Sequence, residues 1–165
     1  QLNMPLAAAD LEGELIRIAS AAAANNEVKY SELADAMQIY GAGMQFPPPV
    51  GLGAATSAMK GVLDPLPTNV ENIPALKLSF QLWAMNIMTG FPANPADLMA
   101  VPTIAPAGQP PIDSVIAIPT EDIETRAKNM ASVIDTWVKT GTYDNGTFVT
   151  PGGVPTPAPV VVPWG

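Results

Sequence analysis

Four stretches of the chain contain no proline, and their apolar residues recur mostly at the spacing of an α-helix. The stretches are 6–46, 50–64, 75–91 and 120–150. Proline lacks a backbone N–H and fixes φ, so it is excluded from helix interiors and from central strands. Regular structure is therefore expected inside these four stretches, and extended chain between them.

The first and third helices are predicted from the spacing of their apolar residues. Leu11, Leu15 and Ile18 fall on one face of a helix that begins near Pro5, where the missing N–H costs nothing. A helix over 53–63 is rich in alanine and also follows helical spacing. Both helices are expected to pack one apolar face against the rest of the chain.

A second helix is predicted over 32–40, with Ser31 as its N-cap and Gly41 as the C′ residue. Three consecutive prolines, 47–49, then favour a short segment of polyproline II. The second helix is thus expected to end before an extended connection.

The pattern over 75–89 allows two structures. Leu76, Leu78 and Phe80 alternate with polar residues, which is typical of a strand, whereas Phe80, Trp83 and their neighbours also fit a helical period. The length of the stretch and its content of alanine, leucine, glutamine and methionine favour a helix. Because apolar residues surround almost the whole cylinder, we expect this helix to be buried.

The last helix is the most clearly marked. Thr120 is expected to cap it, acidic residues fill its first turn, and Gly141 is expected to end it. Beyond it, the sequence 144–146 (Asp-Asn-Gly) predicts a hairpin turn between 142–143 and 147–149.

The predicted fold is mainly α: a small body of four to five helices with long proline-rich extended arms. Residues 1–150 form one domain, in which 101–119 is an extended proline-rich connector and 112–118 is a short strand or extended edge. Residues 151–165 form a proline-rich C-terminal arm.

The connector and the arm are expected to lie on adjacent subunits, because apolar proline-rich segments bury themselves poorly. Trp164 is expected to anchor an interface there, with folding back onto its own domain, or disorder, as the alternatives. The predicted interface residues are Pro47, Pro48, Pro49, Pro102, Pro106, Pro110, Pro111, Pro155, Pro159, Val161, Pro163 and Trp164.

Composition argues against several functions. Seven basic and fifteen acidic residues give a net charge of −8, and the basic residues are scattered, so nucleic-acid binding is not expected. No apolar run is long enough to span a membrane. The chain has no histidine and no cysteine, which excludes a Ser-His-Asp triad, a Cys-His pair and thiolate metal sites. We therefore expect no metal and no cofactor.

Two short motifs match serine β-lactamases and penicillin-binding proteins: Ser57-Ala-Met-Lys60 and Lys139-Thr-Gly141. The second motif would have to lie on a strand beside the serine, yet here it ends a predicted helix. Acidic pairs such as Asp10 with Glu14 lie in first helical turns, where the helix dipole explains them. We therefore predict that the protein is not an enzyme.

The last helix runs through 131–142 (Ala-Ser-Val-Ile-Asp-Thr-Trp-Val-Lys-Thr-Gly-Thr) into a turn, behind an alanine-rich, cysteine-free helical body with apolar arms. In this general character the chain resembles small virion structural proteins of tailed bacteriophages. The resemblance implies a non-enzymatic assembly protein of a capsid, neck or tail, located in the virion and contacting other protein subunits.

The alternative is a secreted or surface ligand-binding module. Its pocket would be apolar and would lie among Trp83, Met85, Met88 and the face of the last helix that carries Met130. Such a module would be extracellular, and it would work as a monomer.

Overall fold

Six helices and one small sheet account for most of the described chain in the computed structural model. The described residues are 6–25, 27–45, 47–68, 72–87, 89, 103–116, 122–144 and 161–165. The helices are α1 (Ala8–Asn25), α2 (Glu32–Gly41), α3 (Leu52–Leu63), α4 (Ile73–Ile87), α5 (Asp113–Ile116) and α6 (Ile123–Val138). The prediction of a mainly α fold is confirmed.

The stretch that allowed two structures is the helix α4. It begins earlier than predicted, because the Asn72 side-chain oxygen accepts a hydrogen bond from the Ala75 N–H at 3.1 Å and so caps the helix. Pro74 lies in the first turn, where no intrahelical N–H is required. One face of α4, centred on Phe80 and Trp83, is fully buried.

The first end of α2 is where the sequence predicts it, and the last end differs. Ser31 holds the predicted N-cap position, but its backbone angles are helical and its side chain makes no capping hydrogen bond. Gly41 is the last helical residue rather than C′. A Cβ there would lie 2.7 Å from the Leu52 side chain and 2.8 Å from the Trp83 ring. Glycine is needed at this position because two helices approach closely, not because the turn requires a left-handed residue.

The helix α6 begins at Ile123, and Asp122 is its N-cap. The Asp122 carboxylate accepts hydrogen bonds from the Thr125 backbone N–H at 2.8 Å and from the Thr125 hydroxyl at 2.9 Å. These hydrogen bonds, the backbone one first, lower the pKa of Asp122. Thr120, the predicted cap, lies outside the described residues.

Residues 113–116 form the single-turn helix α5, so the strand predicted over 112–118 is wrong. Ile112 and Val115 are both buried, and the Ile112 carbonyl accepts from the N–H groups of Val115 and Ile116 at 3.1 Å. In a strand, residues three apart point to opposite faces. A helical turn is therefore the conformation that buries both side chains against the same body.

The sheet joins three short strands that are distant in sequence: β1 (Thr103–Ile104), β2 (Thr142–Asp144) and β3 (Val161–Pro163). The order is β1-β2-β3 and both pairings are antiparallel, so β2 is central. The described partners of β2 are β1 and β3, and the predicted hairpin partner, 147–149, lies outside the described residues. Proline is tolerated in β3 because this strand is at an edge of the sheet.

The core is continuous through the helices. α3 packs on α4, α2 contacts both α1 and α3, and α1 packs against α6. Trp83 is fully buried, and its ring centroid lies 6.4 Å from that of Tyr40, at a tilted angle. This arrangement places α4 on one side of the body and the α1–α6 pair on another.

Candidate interaction surfaces

The described residues of the predicted interface set are spread between core and surface. Pro47, Pro106 and Pro110 are buried, Pro49 is half-buried, Pro48, Pro111 and Pro163 are exposed, Val161 lies in β3, and Pro102, Pro155 and Pro159 lie outside the described residues. The structure therefore does not bring these prolines together on one surface.

The described part of the proline-rich connector, 103–116, lies on its own body. The Trp137 indole N–H donates to the Ala107 carbonyl at 3.1 Å, and the Gln109 amide donates to Gln81 at 2.9 Å. Pro106 and Pro110, which flank these contacts, are buried within the chain itself.

Trp164 is also part of the chain's own core, with 0% of its surface exposed. Its backbone N–H donates to the Gly141 carbonyl at 2.9 Å, and its indole N–H donates to the Thr142 carbonyl at 3.2 Å. Its ring packs so closely on Gly141 that a Cβ there would lie between 2.7 and 2.9 Å from three ring atoms. Trp164 therefore takes the folded-back position and not that of an interface anchor.

The β-lactamase-like motifs do not form a catalytic site. Ser57 is exposed, and the Lys60 ammonium pairs with Asp35 at 2.9 Å. The hydrogen bond with Asp35 raises the pKa of Lys60, which keeps the amine protonated and unable to accept a proton from the serine. Lys139 and Thr140 lie at the end of α6, where the Thr140 hydroxyl donates to the Trp137 carbonyl.

A buried polar network ties α2 to α6. The Tyr40 hydroxyl donates to Asp135 at 2.6 Å, and the Lys139 ammonium donates to the other Asp135 oxygen at 2.8 Å. Burial first, and then the Asp135 carboxylate, raise the pKa of Tyr40, so the hydroxyl remains a donor. Among the described residues, no three acidic side chains are grouped so that they could hold a metal ion.

The described residues of the pocket expected among Trp83, Met85, Met88 and the Met130 face lie apart from one another. Trp83 is in the core, Met85 points outward from α4, and Met130 lines a groove elsewhere. Met88 lies outside the described residues. Two other apolar surfaces are exposed, one on α4 and one between α1 and α6.

The first surface is the α4 outer face, which we define as Leu78, Leu82 and Met85. These residues follow one another at i, i+4 and i+7, so they form one stripe along the helix. Met85 is 53% exposed and Leu78 is 41% exposed, while Leu82 is half-buried. The helix α4 is therefore apolar both toward the core and toward the solvent. The sequence signal for this surface was the nearly uniform apolar character of the stretch 75–89.

The second surface is the α1/α6 groove, an open cavity of about 730 Å³. Its walls come from the second half of α1 and the first half of α6, and α5, α4 and the segment 28–33 complete it. The lining is mostly apolar and includes Ile18, Ala22, Tyr30, Val115, Ile123 and Met130. Sequence reasoning missed this groove, because α1 and α6 are far apart in the chain and their pairing has no local signal.

Two cations lie at this groove, Lys29 and Arg126. Of the seven basic residues, four form ion pairs at 2.7–3.0 Å, namely Arg17, Lys60, Lys77 and Lys139. Within the described part of the chain, Lys29, Arg126 and Lys128 have no ion-pair partner. Two of these three unpaired cations therefore line one apolar groove in a protein whose net charge is −8.

Comparisons with protein-family models, with curated proteins and with solved structures find no match to this chain. In the part of the chain that the structure describes, no helix has both the length and the apolar character needed to cross a membrane. The α4 outer face and the α1/α6 groove are therefore the candidate functional surfaces of the described chain.

Proposed function

We propose that this chain is a non-enzymatic structural protein that assembles with other protein subunits, as a capsid, neck or tail component of a tailed-bacteriophage virion. The observation that carries the proposal is the α4 outer face. A helix that is apolar around most of its circumference is ordinarily buried on most of its sides. In the isolated chain one side of α4 remains exposed.

The core fixes which side of α4 remains exposed. Phe80 and Trp83 occupy the core-facing side and are almost completely buried, so the helix cannot rotate to bury Leu78 and Met85 instead. About half of each of these side chains is already buried, so covering the remainder with another subunit would supply roughly 0.6–1.6 kcal/mol each. The stripe is therefore a favourable centre for a protein–protein contact.

The apolar surface continues beyond the helix. Val50 is 59% exposed and precedes Gly51, which lies directly against the backbone carbonyls of Asn86 and Ile87 at the end of α4. The exposed Val50 therefore lies next in sequence to a residue that packs on the C-terminal end of α4. Stable interfaces bury more than about 1,000 Å² of surface. Only 13% of the residues of this chain are charged, so a surface of that area can contain few charged groups.

The proposal is tested by measuring molecular mass by light scattering over increasing protein concentration. We expect the mass to rise above 17.1 kDa for the natural chain, and to stay at that value for Leu78→Glu/Met85→Glu. Both substituted residues are exposed, so the fold is expected to persist, which circular dichroism checks. The matched control is Gln38→Glu/Thr136→Glu, which adds the same charge at exposed positions on α2 and α6.

Two results contradict an assembly role for this face. One is a natural chain that remains at the monomer mass throughout. The other is equal association of the α4 variant and the natural chain.

A second candidate function is that of a secreted or surface ligand-binding module. The observation that favours it is the α1/α6 groove, which replaces the expected pocket around Trp83. A ligand-binding module is expected to stay monomeric in the same light-scattering experiment, which separates the two functions.

A further inference from the structure

We propose that the α1/α6 groove binds a small single-chain amphiphile with an anionic head group, of the class of long-chain carboxylates. This inference is independent of whether the chain assembles, because the groove and the α4 outer face are separate surfaces.

The apolar lining accounts for the body of the ligand. Ile18 and Ala22 from α1 face Ile123 and Ala127 from α6, so hydrocarbon lines both walls. Removing apolar surface from water contributes roughly 25 cal/mol per Å². The volume of about 730 Å³ lies within the range of roughly 300–1,000 Å³ that is usual for small-molecule sites.

The two cations account for the head group. Lys29 is exposed and Arg126 is half-buried, and both line the groove without an ion-pair partner among the described residues. The described lining contains no carboxylate that could neutralise them. A guanidinium and an ammonium beside apolar walls are complementary to a carboxylate on an alkyl chain, because charge-assisted hydrogen bonds are the stronger ones.

The backbone of the lining favours such a molecule over an acidic peptide strand. Most of the described lining belongs to helices, whose backbone groups are hydrogen-bonded internally. An extended peptide would therefore bury its own N–H and C=O groups with few partners, which is costly. An alkyl chain has no such groups to satisfy.

The experiment is a calorimetric titration of the full chain with decanoate below its micelle concentration, with decanol as the uncharged analogue. Methyl NMR of the same samples locates the site. We expect saturable one-to-one binding of decanoate, with shifts at Ile18, Ile123 and Met130. We expect Lys29→Gln/Arg126→Gln to weaken decanoate binding at least about tenfold and to leave decanol binding nearly unchanged.

Lys128→Gln is the matched control, because it removes an unpaired cation from the same helix as Arg126 but outside the groove lining. It is expected to bind decanoate as the natural chain does. The proposal is overturned if decanoate does not bind, if it shifts methyl groups elsewhere, or if Lys128→Gln weakens binding as much as the double variant. It is also overturned if an acidic peptide shifts the groove methyl groups and decanoate does not.

Discussion

Replacing Trp164 by alanine tests whether the C-terminal segment is part of the folded body. The Trp164 side chain is fully buried. Its backbone N–H donates to the carbonyl of Gly141, just before β2, and its indole N–H donates to the carbonyl of Thr142, the first residue of β2. Large-to-small replacement of a buried tryptophan or phenylalanine costs about 3–5 kcal/mol, because hydrophobic transfer is lost and a cavity remains. A domain of this size has about 5–15 kcal/mol of total stability, so the loss is a large part of it.

The assay is urea unfolding followed by far-UV circular dichroism, with thermal unfolding in parallel. We expect the free energy of unfolding to fall by about 3–5 kcal/mol and Tm to fall by roughly 6–20 °C. Pro163→Ala is the control on the same strand, since Pro163 is exposed, and it is expected to cost less than about 1 kcal/mol. A loss below about 1 kcal/mol for Trp164→Ala would refute the reasoning and restore the interface role for this residue.

Two further predictions concern glycine and tyrosine. Gly141→Ala is expected to destabilise the protein by about 1–3 kcal/mol, because the new methyl group would overlap the Trp164 ring. Gly13→Ala, in a helical position with open space around it, is expected to stabilise the protein by about 0.5–1 kcal/mol. Urea unfolding of both variants should therefore give changes of opposite sign in the free energy of unfolding. Changes of the same sign would contradict the overlap of the Gly141→Ala methyl group with the Trp164 ring. The raised pKa of Tyr40 predicts stability that is complete below its ordinary pKa of 10.0 and is lost as the pH rises above it, because the unfolded chain ionises first. Tyr40→Phe is expected to show a smaller loss between neutral and alkaline pH, and an unchanged pH profile would argue against the buried Tyr40–Asp135 pair.

The helices were largely predictable because their signals are local. Apolar spacing placed α1, α3 and α6, and length and composition correctly favoured a helix for α4 over a strand. The ends were less predictable, since Asn72 and Asp122 make the capping hydrogen bonds at positions that pattern alone did not select. Capping depends on which backbone angles the preceding loop adopts, and a helical period does not report those angles.

The positions of the proline-rich segments could not be predicted, because tertiary contacts decide them. The prolines of the connector, Pro106 and Pro110 among them, predict extended chain but not where that chain lies. Trp137 holds the connector on the body by a hydrogen bond to Ala107. Trp164 reaches the core through contacts with residues 141–142. No sequence pattern predicts this pairing. The α1/α6 groove was missed for the same reason, since it forms where two distant helices meet.

The three strands of the sheet have a consequence for how the protein reaches its folded state. The most extensive helix pair, α3 with α4, joins neighbouring segments, whereas α1 packs on the distant α6 and the strands β1, β2 and β3 also come from distant segments. Contacts between distant segments require the closure of long loops, so they form slowly and are favoured only after local structure exists. We therefore expect the α3–α4 pair to form early and the sheet to close later, so that amide protons of Tyr143 and Trp164 become protected from hydrogen exchange later than those of Phe80 and Trp83.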